Sequence, residues 1–422
     1  MVGNFFGFCL MLLVASQDLF FGQASMVLPE VFLALGVIWS FYFFAKDKTV
    51  HYIIFSSLLV LVKEQGALLI FSFCLWRVLE KISGAGLKSL FTKEFILKLF
   101  YTASPVLILF LFLGIQKLQR GYVFFPSHID MIKMEWSYMV WNFRLIMDIL
   151  FLQTGKETWA YLFLIVFLFF SKKILFWRRL LVVFFLYTTL KLSFNEWDKP
   201  LWFSLPFGII AICFIIYQLQ LTRSVYPKQG RVADPRGSIL VFIIVFCVFA
   251  SFNFFCNRYL LCLFPLVLFY FLYEIFKAFE KEKAVLFILI PAMIFFSAFK
   301  TLKNETVSDC SAYYTDGVKI QMELIKFAGD HEFWNKKILV SFVMVSNMTD
   351  PAVGFLNGKG YFPNVGCEVD TTNIPEVILF TNFDGSAGIN NMLATGKYEP
   401  VQYYKHGLAE GTVFILKNPV SR

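Results

Sequence analysis

The chain has 422 residues, of which 58% are hydrophobic, 19% aromatic and only 16% charged, with 55 phenylalanines. A water-soluble fold of this length has too small an interior to hide so much apolar surface, which excludes an ordinary soluble enzyme and points to an integral membrane protein over most of the length. The formal net charge of +9 does not point to nucleic acid, because the basic residues lie in short connectors between apolar runs, as they do on the inner side of membrane proteins.

In chain order, apolar runs beginning near Val2, Val31, Val50, Ala67, Leu97, Thr158, Leu180, Leu201, Ser238, Tyr259 and Ala284 read as about eleven membrane spans, several shorter than the ~20 residues that a ~30 Å hydrocarbon layer requires. The expected fold is mainly α: a polytopic transmembrane helix bundle over residues 1–300, then a small external α/β domain over residues 301–422. Basic groups at Lys46 and Lys48, Arg77 to Lys98, Lys172 to Arg179, Arg223 to Arg236 and Lys277 to Lys283 are expected inside. Met1 is then cytoplasmic and the segment after Lys300 external, in the periplasm of a bacterial inner membrane.

Polar residues that interrupt the apolar runs are the candidate site. Asp18 lies in a short outer connector. Glu30 follows Pro29 in QASMVLPEVFLAL, where Pro suits a helix start and Glu complements the helix dipole. Lys63 and Glu64 stand in LLVLVKEQGALLIF, where a charge held in lipid would cost from ~3 to more than ~10 kcal/mol. One helix from Val50 to Arg77 would be ~39 Å long and would carry Arg77 outside with more basic residues. Two short helices with Lys63-Glu64-Gln65-Gly66 at an outer turn avoid this. His128 belongs to the outer loop QRGYVFFPSHIDMIKMEWSYMVW, whose amphipathic aromatic character suits the membrane interface. Arg144, Asp148 and Gln153 follow in an external or re-entrant element. Arg258 and Tyr259 open the late segment NRYLLCLFPL.

Each of these also has a plainer reading: Glu30 as a helix N-terminal charge, Arg258 as a snorkelling cation, His128 as a solvated loop residue, Lys63 and Glu64 as mutual counter-ions. Their convergence on one face is what favours a site. The chain carries none of the phosphate-loop, zinc-protease, serine-hydrolase or CxxC motifs of soluble enzymes.

Six of the eight cysteines (Cys9, Cys74, Cys213, Cys247, Cys256 and Cys262) lie in or beside spans and read as apolar packing residues. Cys310 and Cys367, in the polar tail, read equally as a disulfide or as two buried free thiols. Asn304-Glu305-Thr306 and Asn347-Met348-Thr349 match the glycosylation acceptor pattern. The tail reads as a helix at Thr315–Phe327 and strands at Lys337–Val345, Glu376–Thr381 and Thr412–Leu416.

Together these residues resemble the polytopic superfamily-C glycosyltransferases, in particular the bacterial branch with the aminoarabinose transferase and protein O-mannosyltransferase-like enzymes. QASMVLPEVFLAL resembles the family's short outer loop with an acid opening the next helix. LLVLVKEQGALLI is similar to its Lys-Glu-x-Gly segment, NRYLLCLFPL to its late Arg-Tyr-Leu-aliphatic-Pro segment, and GYVFFPSH to a Gly-aromatic-Pro-x-His loop. The resemblance covers about Met1 to Lys300. It implies a hexosyl- or pentosyltransferase that takes sugar from a polyprenyl-phosphate-linked donor and passes it to a lipid, glycan or protein acceptor at the external face.

In that reading Lys63, Arg258, Tyr259, Glu64 and His128 bind substrate. Glu30 orients the acceptor or holds a divalent metal ion, and Glu30 or Asp18 is the catalytic acid or base. The family's large first outer loop, which carries its principal acid, has no counterpart here, as expected for a truncated or inactive member. A flippase of lipid-linked glycan and a catalytically dead scaffold are the other expectations. Mid-depth charges and repeat symmetry would mark the flippase.

Overall fold

The structure, a computed structural model, describes residues 4–25, 29–123, 135–151, 235–253, 256–279, 283–303, 307–308, 311, 313–350, 361–367, 374–384 and 387–417. The chain divides into two compact units, one made of Met1–Phe20 and Val27–Thr301, the other of Phe21–Met26 and Leu302–Arg422.

Up to Leu302 the described helices are α1 (Asn4–Ala15), α2 (Asp18–Ser25), α3 (Pro29–Ala45), α4 (Thr49–Val62), α5 (Gly66–Ala85), α6 (Lys93–Ala103), α7 (Pro105–Arg120), α8 (Trp136–Phe151), α9 (Pro235–Phe252), α10 (Phe264–Ala278) and α11 (Lys283–Leu302). Short 3-10 turns occupy Leu87–Phe91 and Asn257–Cys262. Pro29 and Pro105 stand at helix starts, where the missing amide leaves nothing unsatisfied. Some of the many phenylalanines pack in the interior. Phe44 stacks on Phe73 with ring centres 4.0 Å apart, and Phe41 meets Phe73 edge-on at 4.8 Å. Trp76 is buried against Gly237, where an added side chain would overlap its indole ring. A second cluster joins Phe6 and Cys9 of α1 to Leu272 and Ile275 of α10 and Ile290 of α11.

The expectation of about eleven spans is overturned. Among the described residues no single helix is long and apolar enough to cross a membrane. The 14 residues of α4 reach only ~21 Å at 1.5 Å per residue, and α3, Gly237–Phe252 and Leu286–Leu302 are also short. Two helix pairs have the length and apolarity only when taken together, and both are bent: Asn4–Ala15 with Asp18–Ala24 by 75°, and Lys93–Ala103 with Pro105–Arg120 by 44°. A run of apolar residues reads straight through such bends. The 20-residue α5 carries Arg77, Glu80 and Lys81 in its second half, which dilutes its apolar character. The runs from Thr158, Leu180 and Leu201 lie outside the described residues.

The break expected at Lys63 is present. Lys63 leaves α4 in an extended conformation (φ −161°, ψ 139°), and the Gly66 amide donates to the Lys63 carbonyl to start α5. A Cβ on Gly66 would stand 2.9 Å from the Leu59 carbonyl oxygen and 3.0 Å from its carbon. Only glycine lets α5 begin that close to the last turn of α4.

In the second unit, α12 (Tyr314–Asp330) covers a five-stranded mixed sheet of β1 (Ile338–Leu339), β2 (Val365–Gly366), β3 (Val377–Thr381), β4 (Tyr398–His406) and β5 (Ala409–Leu416), in the order β2-β1-β3-β5-β4. The β1–β2 and β1–β3 pairs are parallel, and β3–β5 and β4–β5 antiparallel. Short helices α13 (Phe342–Thr349) and α14 (Ala387–Ala394) complete it. Ile320 and Leu324 of α12 pack with Val377, Leu379 and Val413 of the sheet. Gly411 admits α12 closely, since a Cβ there would run into Ile320.

The strand expected over Lys337–Val345 is only Ile338–Leu339. Ser341 then turns the chain into α13 with an extended backbone (φ −66°, ψ 156°). The strand Tyr398–His406 escaped the sequence reading because it is an exposed edge containing Pro400 at a bulge, where proline breaks no ladder bond. Cys367 is a free thiol and Cys310 lies outside the described residues. Asn347 is buried, so it is not a glycosylation acceptor in this fold.

Candidate functional site

Three segments remote in sequence meet around one buried carboxylate. Pro29 opens α3 and places Glu30 in its first turn, where the amide dipoles favour negative charge. Lys63 ends α4, the end that favours a cation. Arg258 and Tyr259 lie in the 3-10 turn Asn257–Cys262, anchored by the fully buried Leu260, Leu261 and Cys262. The α3 helix packs on both α4 and this turn.

Lys63 Nζ donates to Glu30 Oε1 at 2.8 Å and stands 3.9 Å from the centre of the Tyr259 ring. Arg258 Nε lies 3.5 Å from the same Glu30 oxygen, an ion-pair distance longer than a tight hydrogen bond. Its guanidinium carbon is 5.8 Å from the Tyr259 ring centre. The Tyr259 face is thus shared by two cations, an attraction of about 0.5–2 kcal/mol each. The Glu30 side chain is 3% exposed, against 17% for Lys63 and 33% for Arg258. The cations reach from a buried counter-ion toward the surface. Glu30 Oε2 is buried with no hydrogen-bond partner among the described residues, so an acceptor stands ready beside the two cations. Such an arrangement takes an anion on the cations and a hydroxyl on the free carboxylate oxygen.

The other expected residues fare differently. Glu64 is exposed, and Lys63 pairs with Glu30, so the notion of Lys63 and Glu64 as mutual counter-ions is corrected. Asp18 opens α2, is buried and accepts from the adjacent Leu19 amide at 2.8 Å. His128 lies outside the described residues.

The divalent metal expected at Glu30 gains no support from the described residues. Hard cations take several oxygen ligands, whereas Glu30 is engaged by two cations, and no group of three His, Cys, Asp or Glu able to hold a metal occurs among the described residues.

A second cluster went unread because its lysines and arginine looked like simple retained charge. At the corner between α3 and α4, Asp47 accepts from Arg77 at 2.7 Å and Lys98 at 3.0 Å. Arg77 also lies over the Phe44 ring, 4.6 Å from its centre. Partial burial pushes the Asp47 carboxyl up, but the bonds and charges of Arg77 and Lys98 outweigh it and hold its pKa below the ordinary aspartate value. A cleft of about 30 Å³ beside it, lined by Tyr52, Thr49 and Thr102 among others, has room for about one water. The only sequence signal was an acid among Lys46, Lys48 and the basic Arg77–Lys98 stretch.

No family model matches the sequence, and no curated protein or solved structure matches it.

Proposed function

We propose that this chain is a membrane glycosyltransferase that binds a polyprenyl-phosphate-linked sugar at the Glu30–Lys63–Arg258–Tyr259 cluster and passes the sugar to a lipid, glycan or protein acceptor. The observation that carries the reading is the meeting of Lys63 and Arg258 on one buried carboxylate, since three of the four segments that resemble the family contribute Glu30, Lys63 and Arg258 to it. Transfer requires an acceptor hydroxyl to attack the anomeric carbon while the lipid phosphate departs with growing negative charge. Lys63 and Arg258 would stabilise that charge in a partly dry crevice, a contribution typically worth about 10²–10³ in rate. Glu30 Oε2 would receive the hydroxyl of the sugar or acceptor. A membrane setting accords with the exposed apolar side chains of α7 and α11, where Phe110, Leu118, Ile288 and Phe295 are each more than half exposed, a surface that water disfavours.

A second reading, lipid-phosphate binding without transfer, is favoured by Glu30 itself. Its Oε1 is held by Lys63 and Arg258 in the manner of a structural counter-ion, which leaves Oε2 as the one oxygen to meet a hydroxyl. The deciding experiment gives the reconstituted chain a lipid-linked hexose or pentose and follows release of polyprenyl phosphate. Release by the wild type and its loss in Arg258→Ala support transfer. Binding with no release supports the second reading, and absence of both refutes the site.

A further inference from the structure

The 3-10 turn Leu87–Phe91 and helix α6 mix exposed apolar side chains with exposed lysines. α6 buries Phe95 and Thr102, and two bonds set its orientation: Lys98 to Asp47, and Tyr52 Oη donating to the Thr102 carbonyl at 2.8 Å. Its outward side is nevertheless apolar. Leu87 is 67% exposed and Phe91 81%, and Ile96, Leu97 and Phe100 are also exposed. Interleaved with them, Lys88 and Lys93 are exposed and in no ion pair among the described residues; Glu94 is the acid on this stretch. After the 44° bend at Ser104–Pro105, the following helix α7 carries no charge until Lys117.

We infer that the segment Leu87–Tyr101 lies flat in the headgroup layer of an anionic bilayer leaflet, with Phe91 and Phe100 dipping toward the acyl chains and Lys88 and Lys93 on lipid phosphates. The inference rests on the membrane setting proposed above. Charge complementarity commits it to anionic phospholipid: basic residues flanking exposed aromatic and aliphatic side chains are what such a surface attracts. The bend then separates a helix that rests on the surface from one that enters the hydrocarbon. Asp47 acts here as an anchor, turning the second apolar side of α6 away from the bundle.

The test places a spin-labelled p-acetylphenylalanine at position 91, 100 or 110 of the full chain, reconstituted in phosphatidylcholine with or without phosphatidylglycerol. Accessibility to oxygen is compared with accessibility to a water-soluble nickel chelate. The label at 110 should favour oxygen in both bilayers. The labels at 91 and 100 should show a several-fold higher oxygen-to-nickel ratio when phosphatidylglycerol is present, and Lys88→Glu with Lys93→Glu should abolish that gain. Oxygen preference at 110 with nickel preference at 91 and 100, or no response to phosphatidylglycerol, would overturn the interfacial segment alone. Nickel preference at 110 would overturn the membrane setting and this inference with it.

Discussion

Lys63 and Glu30, 33 positions apart, join the end of one helix to the start of another through a 2.8 Å ion pair beneath the Tyr259 ring. Because Glu30 is almost fully buried and Lys63 mostly so, removing the carboxylate leaves two partly buried cations without the counter-ion they share. Breaking a buried pair typically costs ~3–5 kcal/mol, and the partial exposure of Lys63 and Arg258 lowers this. Glu30→Ala should therefore destabilise the helical unit by about 2–3 kcal/mol. Glu64→Ala, at an exposed site, should change stability by less than ~0.5 kcal/mol. Denaturant unfolding in detergent, followed by tryptophan fluorescence, measures both. Equal effects would show that the ion pair contributes nothing.

Gly66 offers a steric test of the same turn. Gly66→Ala sets a methyl against the Leu59 backbone, which cannot swing aside, and should cost about 1–3 kcal/mol. Gly84, also in α5, has nothing within 4 Å of its added Cβ. Gly84→Ala should be neutral or stabilising by up to ~1 kcal/mol, since alanine is the better helix former. The contrast between the two unfolding midpoints is the readout, and a harmless Gly66→Ala would mean that the helices approach less closely.

Asp47 links stability to pH. Its carboxyl has a folded pKa held below the ordinary value of 3.8 by Arg77 and Lys98. A depressed carboxyl stabilises the fold fully above its unfolded pKa and loses that contribution as pH falls through the folded one. Asp47 is largely exposed, so the contribution is about 1 kcal/mol or less. Asp47→Asn should melt below the wild type at pH 7, and the two melting curves should converge as the pH drops below ~3.8. A gap that persists in acid would remove the ionic explanation.

How much of this was legible in sequence depended on whether a signal was local. The break at Lys63-Glu64-Gln65-Gly66 could be read, because two charges and a glycine inside an apolar run leave few other arrangements. Glu30, Lys63 and Arg258 could be picked out singly for the same reason. Their meeting could not, since it depends on how α3 packs against α4 and the Asn257–Cys262 turn. Span number was misread because hydropathy is blind to bends such as that at Ser104–Pro105. The Asp47 anchor and the edge strand Tyr398–His406 were hidden by unremarkable composition: a lone acid among lysines, and polar residues around a proline.

The second unit carries its own buried polar chain. Asn347 Nδ2 donates to Gln321 Oε1 at 3.2 Å, and Gln321 Nε2 donates to Asp384 Oδ2 at 2.6 Å. Gln321→Leu removes the middle link and leaves the buried Asn347 amide without that acceptor, a loss of about 1–3 kcal/mol. The double variant Gln321→Leu with Asn347→Leu should recover part of the loss, because no orphaned amide remains. Unfolding midpoints of the two variants decide the matter, and a double variant worse by the full sum would show independent sites.

The most direct test of the central claim is the affinity of the detergent-purified chain for polyprenyl monophosphate, by native mass spectrometry with titration. Each charge-assisted bond to phosphate is worth about 1.5–3 kcal/mol, or roughly 10–100-fold in Kd. The account predicts binding by the wild type, at least tenfold weakening in Arg258→Ala and in Lys63→Ala, and wild-type affinity in Glu64→Ala. Indistinguishable affinities across all four proteins, or no binding by the wild type, would contradict it.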